Sequence, residues 1–221
     1  MPMTPAAAAR ARKMAALQSK NTAPTRADIN ITQQMLAMMY EHKRTLKKIQ
    51  SISQKGYKKA EFFPDYEPYI SGVLKADSGQ QDEVITTLTL WAIDAQLIDQ
   101  AILLSSYVMR HGLTIPDKFT RTMNVAIAEQ ISELALKDAS PVTPEHLTAL
   151  YELVGKTDMP DQVRVKLEKA CGLGLMESAP ETALDHLKKA INLNGKAGVK
   201  PQIKALEKLL QDSVSGDKPE A

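Results

Sequence analysis

The sequence predicts an all-α protein in which basic amino-terminal helices precede a body of packed antiparallel helical hairpins. Three observations carry that expectation. Apolar residues recur at three- and four-residue steps along most of the chain. Ala, Leu, Met, Lys, Gln and Glu dominate, while β-branched and aromatic residues rarely alternate with polar ones. Several periodic segments open on a proline or a cap-type residue. At 221 residues with 43% hydrophobic content, the chain is long enough to bury a real core in one or two domains.

The elements follow in order. Residues 1–26 read as a flexible basic segment carrying Arg10, Arg12 and Lys13, and "NTAPTR" at residues 21–26 breaks any helix there through Pro24 and its capping neighbours. This segment has no continuous apolar run, so it is not a secretory signal. Residues 27–60 read as one basic amphipathic helix, free of proline from about Ala27 to Tyr57. Its stripe is Ile31, Met35, Met38, Met39, Leu46, Ile49 and Ile52, flanked by "HKRTLKK". "FFPDYEP" is expected to stop regular helix at Pro64 and Pro68 and to gather Phe62, Phe63, Tyr66 and Tyr69 into an aromatic plug.

Residues 61–140 form a central helical domain in this reading. "KADSGQQDE" supplies Asp77 or Ser78 as a cap, and a helix runs from near Gln81 to Trp91. Its partner is the stretch "LWAIDAQLIDQAILLSSYVMRHGL", whose apolar Trp91, Leu97, Ile98, Ala101, Leu104, Val108 and Met109 keep a helical period up to Gly112. Asp94, Gln96, Asp99 and Gln100 interrupt it, which excludes a membrane span. "GLTIPDKFTRT" brings Lys118 and Arg121 to an exposed turn before a helix from about Asn124 to Lys137. Residues 141–212 form a carboxy-terminal domain with helices near 144–154, 160–175, 180–192 and 198–212. Within it, "ETALDHLKKAINLN" places Ala183, Leu184, Leu187, Ala190, Ile191 and Leu193 in the small-large rhythm of tetratricopeptide helices. Residues 213–221 are expected to be a disordered tail.

Charge divides the chain. Residues 1–60 hold 12 Lys or Arg against Asp28 and Glu41, a net of +10, whereas residues 61–221 hold 16 basic and 24 acidic residues, a net of −8. The two parts should therefore prefer different partners. Lys43, Arg44, Lys47 and Lys48 on adjoining turns, then Lys55, Lys58 and Lys59, with Arg10, Arg12 and Lys13 before them, supply many phosphate contacts through counterion release. Those contacts read no sequence, and the plain alternative is a solvated helix face. An apolar stripe that one helix cannot bury alone, at Ile31, Met35, Met38, Ile49 and Ile52, points to self-association.

Catalytic signatures are not visible. "GLGLMES" and "GKAGVKP" match neither phosphate-loop pattern. Asp77, Asp82, Glu83 and Asp94 are the carboxylates that would have to converge on Mg²⁺, and caps and exposed faces explain them more simply. His42, His111, His146 and His186 are scattered without metal-ligand spacing and read as surface or terminal residues. Cys171 is the only cysteine, which excludes an intrachain disulfide, fits a reducing setting, and reads as a core thiol. No cofactor is expected.

Four stretches carry a resemblance: "MLAMMYEHKRTLKKI", "LWAIDAQLIDQAILLSSYVMRHGLTIPDKFTRT", "TDMPDQVRVKLEKACGL" and "ALDHLKKAINLNGKAGVKPQIKALEKLL". Together they resemble the small terminase subunit of P2-like tailed bacteriophages. The resemblance implies a DNA-packaging factor in the cytoplasm of the infected bacterial host. Such a factor binds double-stranded viral DNA, forms a homo-oligomer, usually a ring, and recruits the large terminase subunit with its ATPase and nuclease centres. Two rivals have their own signatures. A tetratricopeptide-like adaptor would be monomeric and indifferent to duplex DNA, and a metal-dependent nuclease would cleave with Mg²⁺ through the four carboxylates named above.

Overall fold

The computed structural model describes residues 26–115 and 121–215, which fold into nine α-helices with no strand among the described residues. They divide into two compact units, the first up to Met123 and the second from Asn124. The all-α expectation holds. Arg10, Arg12, Lys13 and Lys118 lie outside the described residues.

In the first unit, α1 (Arg26–Lys47), α2 (Ile52–Ala76), α3 (Glu83–Asp94) and α4 (Ile98–Arg110) pack around α3. Helix α3 is buried at nine of its positions, with Val84, Ile85, Leu88 and Ala92 fully enclosed and Trp91 nearly so. A helix apolar on every face has to lie at a centre, and α1, α2 and α4 supply its surroundings. Helix α1 turns Met35, Met39 and Leu46 inward at four- and seven-residue steps.

The expected single helix over 27–60 is two. Lys48 and Ile49 donate back to the Thr45 and Leu46 carbonyls at 3.1 and 3.2 Å, the chain turns, and Ser51 opens α2 by accepting a hydrogen bond from the Gln54 amide. The sequence from Ser51 to Gln54 has capping-box spacing, and here the serine half of that motif outweighs the continuity of the apolar stripe. The expected stop at Pro64 and Pro68 is also absent, since α2 runs through both to Ala76. An interior proline costs a helix about 3 kcal/mol. That cost is offset because Phe63, Tyr66, Pro68, Tyr69, Ile70 and Val73 all bury from this stretch.

Asp77 does not cap α3. It ends α2 in the left-handed conformation, φ 49°, and its carboxylate receives Arg110 Nη2 at 2.5 Å and His111 Nε2 at 2.8 Å. The N-cap of α3 is Asp82, which accepts from the Val84 and Ile85 amides and from the Tyr69 hydroxyl at 2.7 Å. Helix α3 continues past Trp91 to Asp94, and Gln96 at φ 59° turns the chain into α4.

The second unit holds α5 (Met123–Ala135, from Asn124 onward), α6 (Pro144–Val154), α7 (Asp161–Gly174), α8 (Pro180–Leu193) and α9 (Lys200–Ser215). Helices α6 to α9 pack consecutively, each on the next. A Cβ added at Gly172 would lie 2.4 Å from Leu187 Cδ2, so the small residue is what lets α7 and α8 approach. His146 completes a capping box with Thr143 at the start of α6. His186 is a correction to the surface reading of the histidines. It is 4% exposed, and its Nδ1 lies 2.6 Å from Oε2 of Glu168, itself buried. Tyr151 donates to the other Glu168 oxygen at 3.2 Å and meets the His186 ring edge-on. The residue falls on the buried stripe of α8 with Ala183, Leu187 and Ala190, three residues on from Ala183, which is why its polarity was overruled.

Cys171 is buried in α7, and burial, reinforced by the charge of Glu168, pushes its thiol up to about 12. It is therefore unreactive at neutral pH. Alkylation of native Cys171 by iodoacetamide at pH 8 should be about a hundredfold slower than in denaturant, because reaction waits on local opening. His186→Ala leaves Glu168 buried without one of its two partners and should cost about 3 kcal/mol of stability, read as a lowered urea midpoint in circular dichroism.

Candidate nucleic-acid interface

Between Glu41 and Glu61 the chain has no carboxylate side chain and holds Lys43, Arg44, Lys47, Lys48, Lys55, Lys58 and Lys59. The structure bends this basic run around the corner between α1 and α2 and sorts its members by what each touches. Lys43 reaches Glu83 in the first turn of α3 at 3.5 Å. Arg44 pairs with Glu41 one turn back through both oxygens, at 3.1 and 2.9 Å. Lys58 pairs with Glu61 at 2.5 Å and lies over the Phe62 ring. Lys59 pairs with Asp94 at the end of α3, is 13% exposed, and lies over the Trp91 ring. Among the described residues, Lys47, Lys48 and Lys55 have no carboxylate partner.

The corner is held from below. A Cβ at Gly56 would sit 2.7 Å from the Asp94 carbonyl oxygen, so glycine is what allows the first turns of α2 to rest on the end of α3. Lys59 and Asp94 lock the same junction one turn further on. His42 stacks flat on Phe62, with ring centroids 3.7 Å apart, and its Nδ1 is 2.9 Å from the Tyr66 hydroxyl. Burial lowers its pKa below the ordinary value despite nearby Asp65, so at neutral pH it adds no charge to the basic surface.

Outward from this base, Tyr40, Lys43, Arg44 and Lys47 fall at three- and four-residue steps on one face of α1, with Tyr40 64% exposed. Tyr57 and Ile52 are exposed on α2. Tyr40 and Tyr57 are aromatic members of this surface that sequence pattern did not single out, though the acid-free run around them was visible.

The apolar residues expected to drive self-association are divided in the same way. Met35 is 4% exposed and lies in the core beside Met39, Ile31, Met38 and Ile49 are half-buried, and Ile52 alone is fully outside, at 87%. The stripe is largely covered by α2 and α3 of the same chain, which removes the reason for Met35 to seek a second copy.

The four carboxylates considered for a metal do not converge. Asp77 holds Arg110 and His111, Asp82 caps α3, Glu83 holds Lys43 and Asp94 holds Lys59. Among the described residues no three His, Cys, Asp or Glu side chains could hold a metal ion together. A recess of about 440 Å³ between α2 and α4, lined by Phe63, Pro64, Leu74, Leu97 and Leu103, has Glu67, Ser71 and Gln100 as its polar members and no histidine beside them. No nucleophile–base pair is assembled there.

Comparison with known proteins gives two findings. A family model described as the phage small terminase subunit matches residues 36–162, which take in the corner and all of α2 to α6. The chain is also 35% identical over 204 residues to the "Terminase, endonuclease subunit" of Escherichia phage P2, covering 90% of this chain and 83% of that protein. No solved structure matches.

The sorting of the lysines is open to test by stability alone. Lys59→Ala should lower unfolding free energy by about 1–2 kcal/mol, since it frees Asp94 and uncovers Trp91, whereas Lys48→Ala should stay within about 0.5 kcal/mol; urea melts of the two variants decide it.

Proposed function

The chain belongs to the phage small terminase family, with a role in phage DNA packaging, and on that premise we propose that it grips double-stranded viral DNA through the α1–α2 corner. The observation that carries the reading is the set of three lysines without a carboxylate partner among the described residues, Lys47, Lys48 and Lys55, on a turn with no acidic side chain from residue 42 to residue 60. Phosphates spaced along a duplex satisfy such a set without disturbing the fold. Each contact releases condensed counterions, so the grip is strong in sum, salt-dependent and blind to sequence.

Lys43, Arg44 and Lys58 form a reserve. Their ion pairs are exposed, each worth about 0–1 kcal/mol, so they can leave Glu83, Glu41 and Glu61 for a phosphate at small cost. Lys59 is excluded from this role, because breaking its partly buried pair would loosen the junction that carries the corner. Arg10, Arg12 and Lys13, outside the described residues, add basic charge to the sequence that precedes α1.

In this reading the protein works as a homo-oligomer, a ring in the form usual for small terminases. Several weakly binding corners then act with the affinity of their sum. The acidic remainder, net −8 over residues 61–221, is the part left to dock the large terminase subunit, which supplies ATP hydrolysis and strand cleavage in the cytoplasm of the infected bacterial host. Assembly and large-subunit docking are supported by family membership alone. DNA binding has the corner behind it as well.

The test is an electrophoretic shift on duplex phage DNA over a range of salt. The triple variant Lys47→Glu, Lys48→Glu, Lys55→Glu should bind far more weakly at low salt with unchanged helicity. A milder triple alanine variant should flatten the slope of log K against log salt by about 2.7, at about 0.9 for each phosphate no longer neutralised. Unchanged slopes would remove the corner from the interface, and a wild-type protein that ignores duplex would favour the adaptor reading.

A further inference from the structure

We propose that Ile52 is a wedge, inserted from the minor groove between base pairs of the bound duplex, and that the protein bends the DNA it holds. The proposal rests on the corner being the DNA-binding surface and adds what that surface does to the duplex.

Ile52 is 87% exposed, more than any other large apolar side chain among the described residues. It is the first residue of α2, placed directly after the capping Ser51. Its sequence neighbours Gln50, Ser51, Ser53 and Gln54 are all exposed, polar and uncharged. Beyond them stand Lys47, Lys48 and Lys55, which have no carboxylate partner among the described residues, and the first turn of α2 has no acidic residue. An isolated apolar tip ringed by hydroxyls, amides and free cations is the composition used by proteins that unstack a base step, with the cations on the flanking phosphates.

The tip is also rigid. A β-branched side chain is stiff at χ1. Its helix start is fixed by the Ser51 cap, by Gly56 against the Asp94 carbonyl, and by the Lys59–Asp94 ion pair. A wedge on a mobile loop would be displaced by the stack, whereas one seated on the end of a buried helix transmits the force. Charge favours the duplex over a two-fold contact between copies. A second copy docking through this same face would bring two sets of free lysines together, while a duplex brings the opposite charge to the same place.

The experiment uses the full-length protein and a short duplex rich in TA steps, which unstack most easily, labelled at its two ends as a donor–acceptor pair. Wild type should raise energy transfer on binding. Ile52→Ala should keep salt-dependent binding and lose the rise, and Ile52→Phe should restore it. If wild type binds and Lys48→Glu weakens binding, yet Ile52→Ala still raises transfer as wild type does, the wedge is overturned and the basic interface stands. The wedge alone is likewise overturned if wild type binds without bending, or if Ile52→Ala leaves the bend but lowers the native mass, which would assign Ile52 to a contact between copies. A wild type with no affinity for duplex overturns both readings.

Discussion

The first unit depends on the junction where the start of α2 lies on the end of α3. Helix α3 is buried on all sides, so its carboxy-terminal turn is a fixed point, and Asp94 presents there both a backbone carbonyl and a carboxylate. Gly56 leaves room for the first and Lys59 binds the second. Phe62, His42, Tyr66 and Trp91 then form a connected aromatic layer behind them, His42 flat on Phe62 and Trp91 within 6.4 Å of both Phe62 and Tyr66. The basic residues of the α1–α2 corner are mounted on that layer.

Ion pairing determines which of the basic residues are available. Seven cations in one acid-free run look equivalent by composition, but four have found carboxylates elsewhere in the unit and, among the described residues, three have not. Exposure then ranks the four. Lys43, Arg44 and Lys58 keep about a third to a half of their side chains exposed, where an ion pair contributes little, and Lys59 sits at 13% exposure against an indole, where it contributes to the fold. The same side-chain type thus stands in an exposed, easily exchanged ion pair in one place and as a structural bolt in another.

The second unit has its polar chemistry inside. Glu168, His186 and Tyr151 satisfy one another across α7, α8 and α6, and Lys189 lies over the Tyr151 ring. With Cys171 raised by the same burial, these groups are occupied in holding helices in register. Such networks specify one packing among several similar ones, which matters most where small residues such as Gly172 and Ala183 let helices slide close.

How much of this was legible in the sequence follows from the range of each interaction. Helical periodicity, caps such as Thr143 with Pro144, and the acid-free basic run are local, so the all-α class, the four carboxy-terminal helices and the basic run itself, though not the corner it bends around, could be read from neighbours in the chain. The Ser51–Gln54 cap was equally local, yet it competed with an apolar stripe that spanned it, and only the packing of Met35, Met39 and Leu46 against α2 and α3 shows that the stripe is two segments. What tertiary structure alone decided is long-range. Burial from neighbouring helices carried α2 through Pro64 and Pro68, paired His186 with a glutamate 18 residues away, and bound Lys59 to an aspartate 35 residues away. Periodicity determines which face of a helix is apolar; the contacts between helices determine which polar groups are spent in the fold and which are left for a partner.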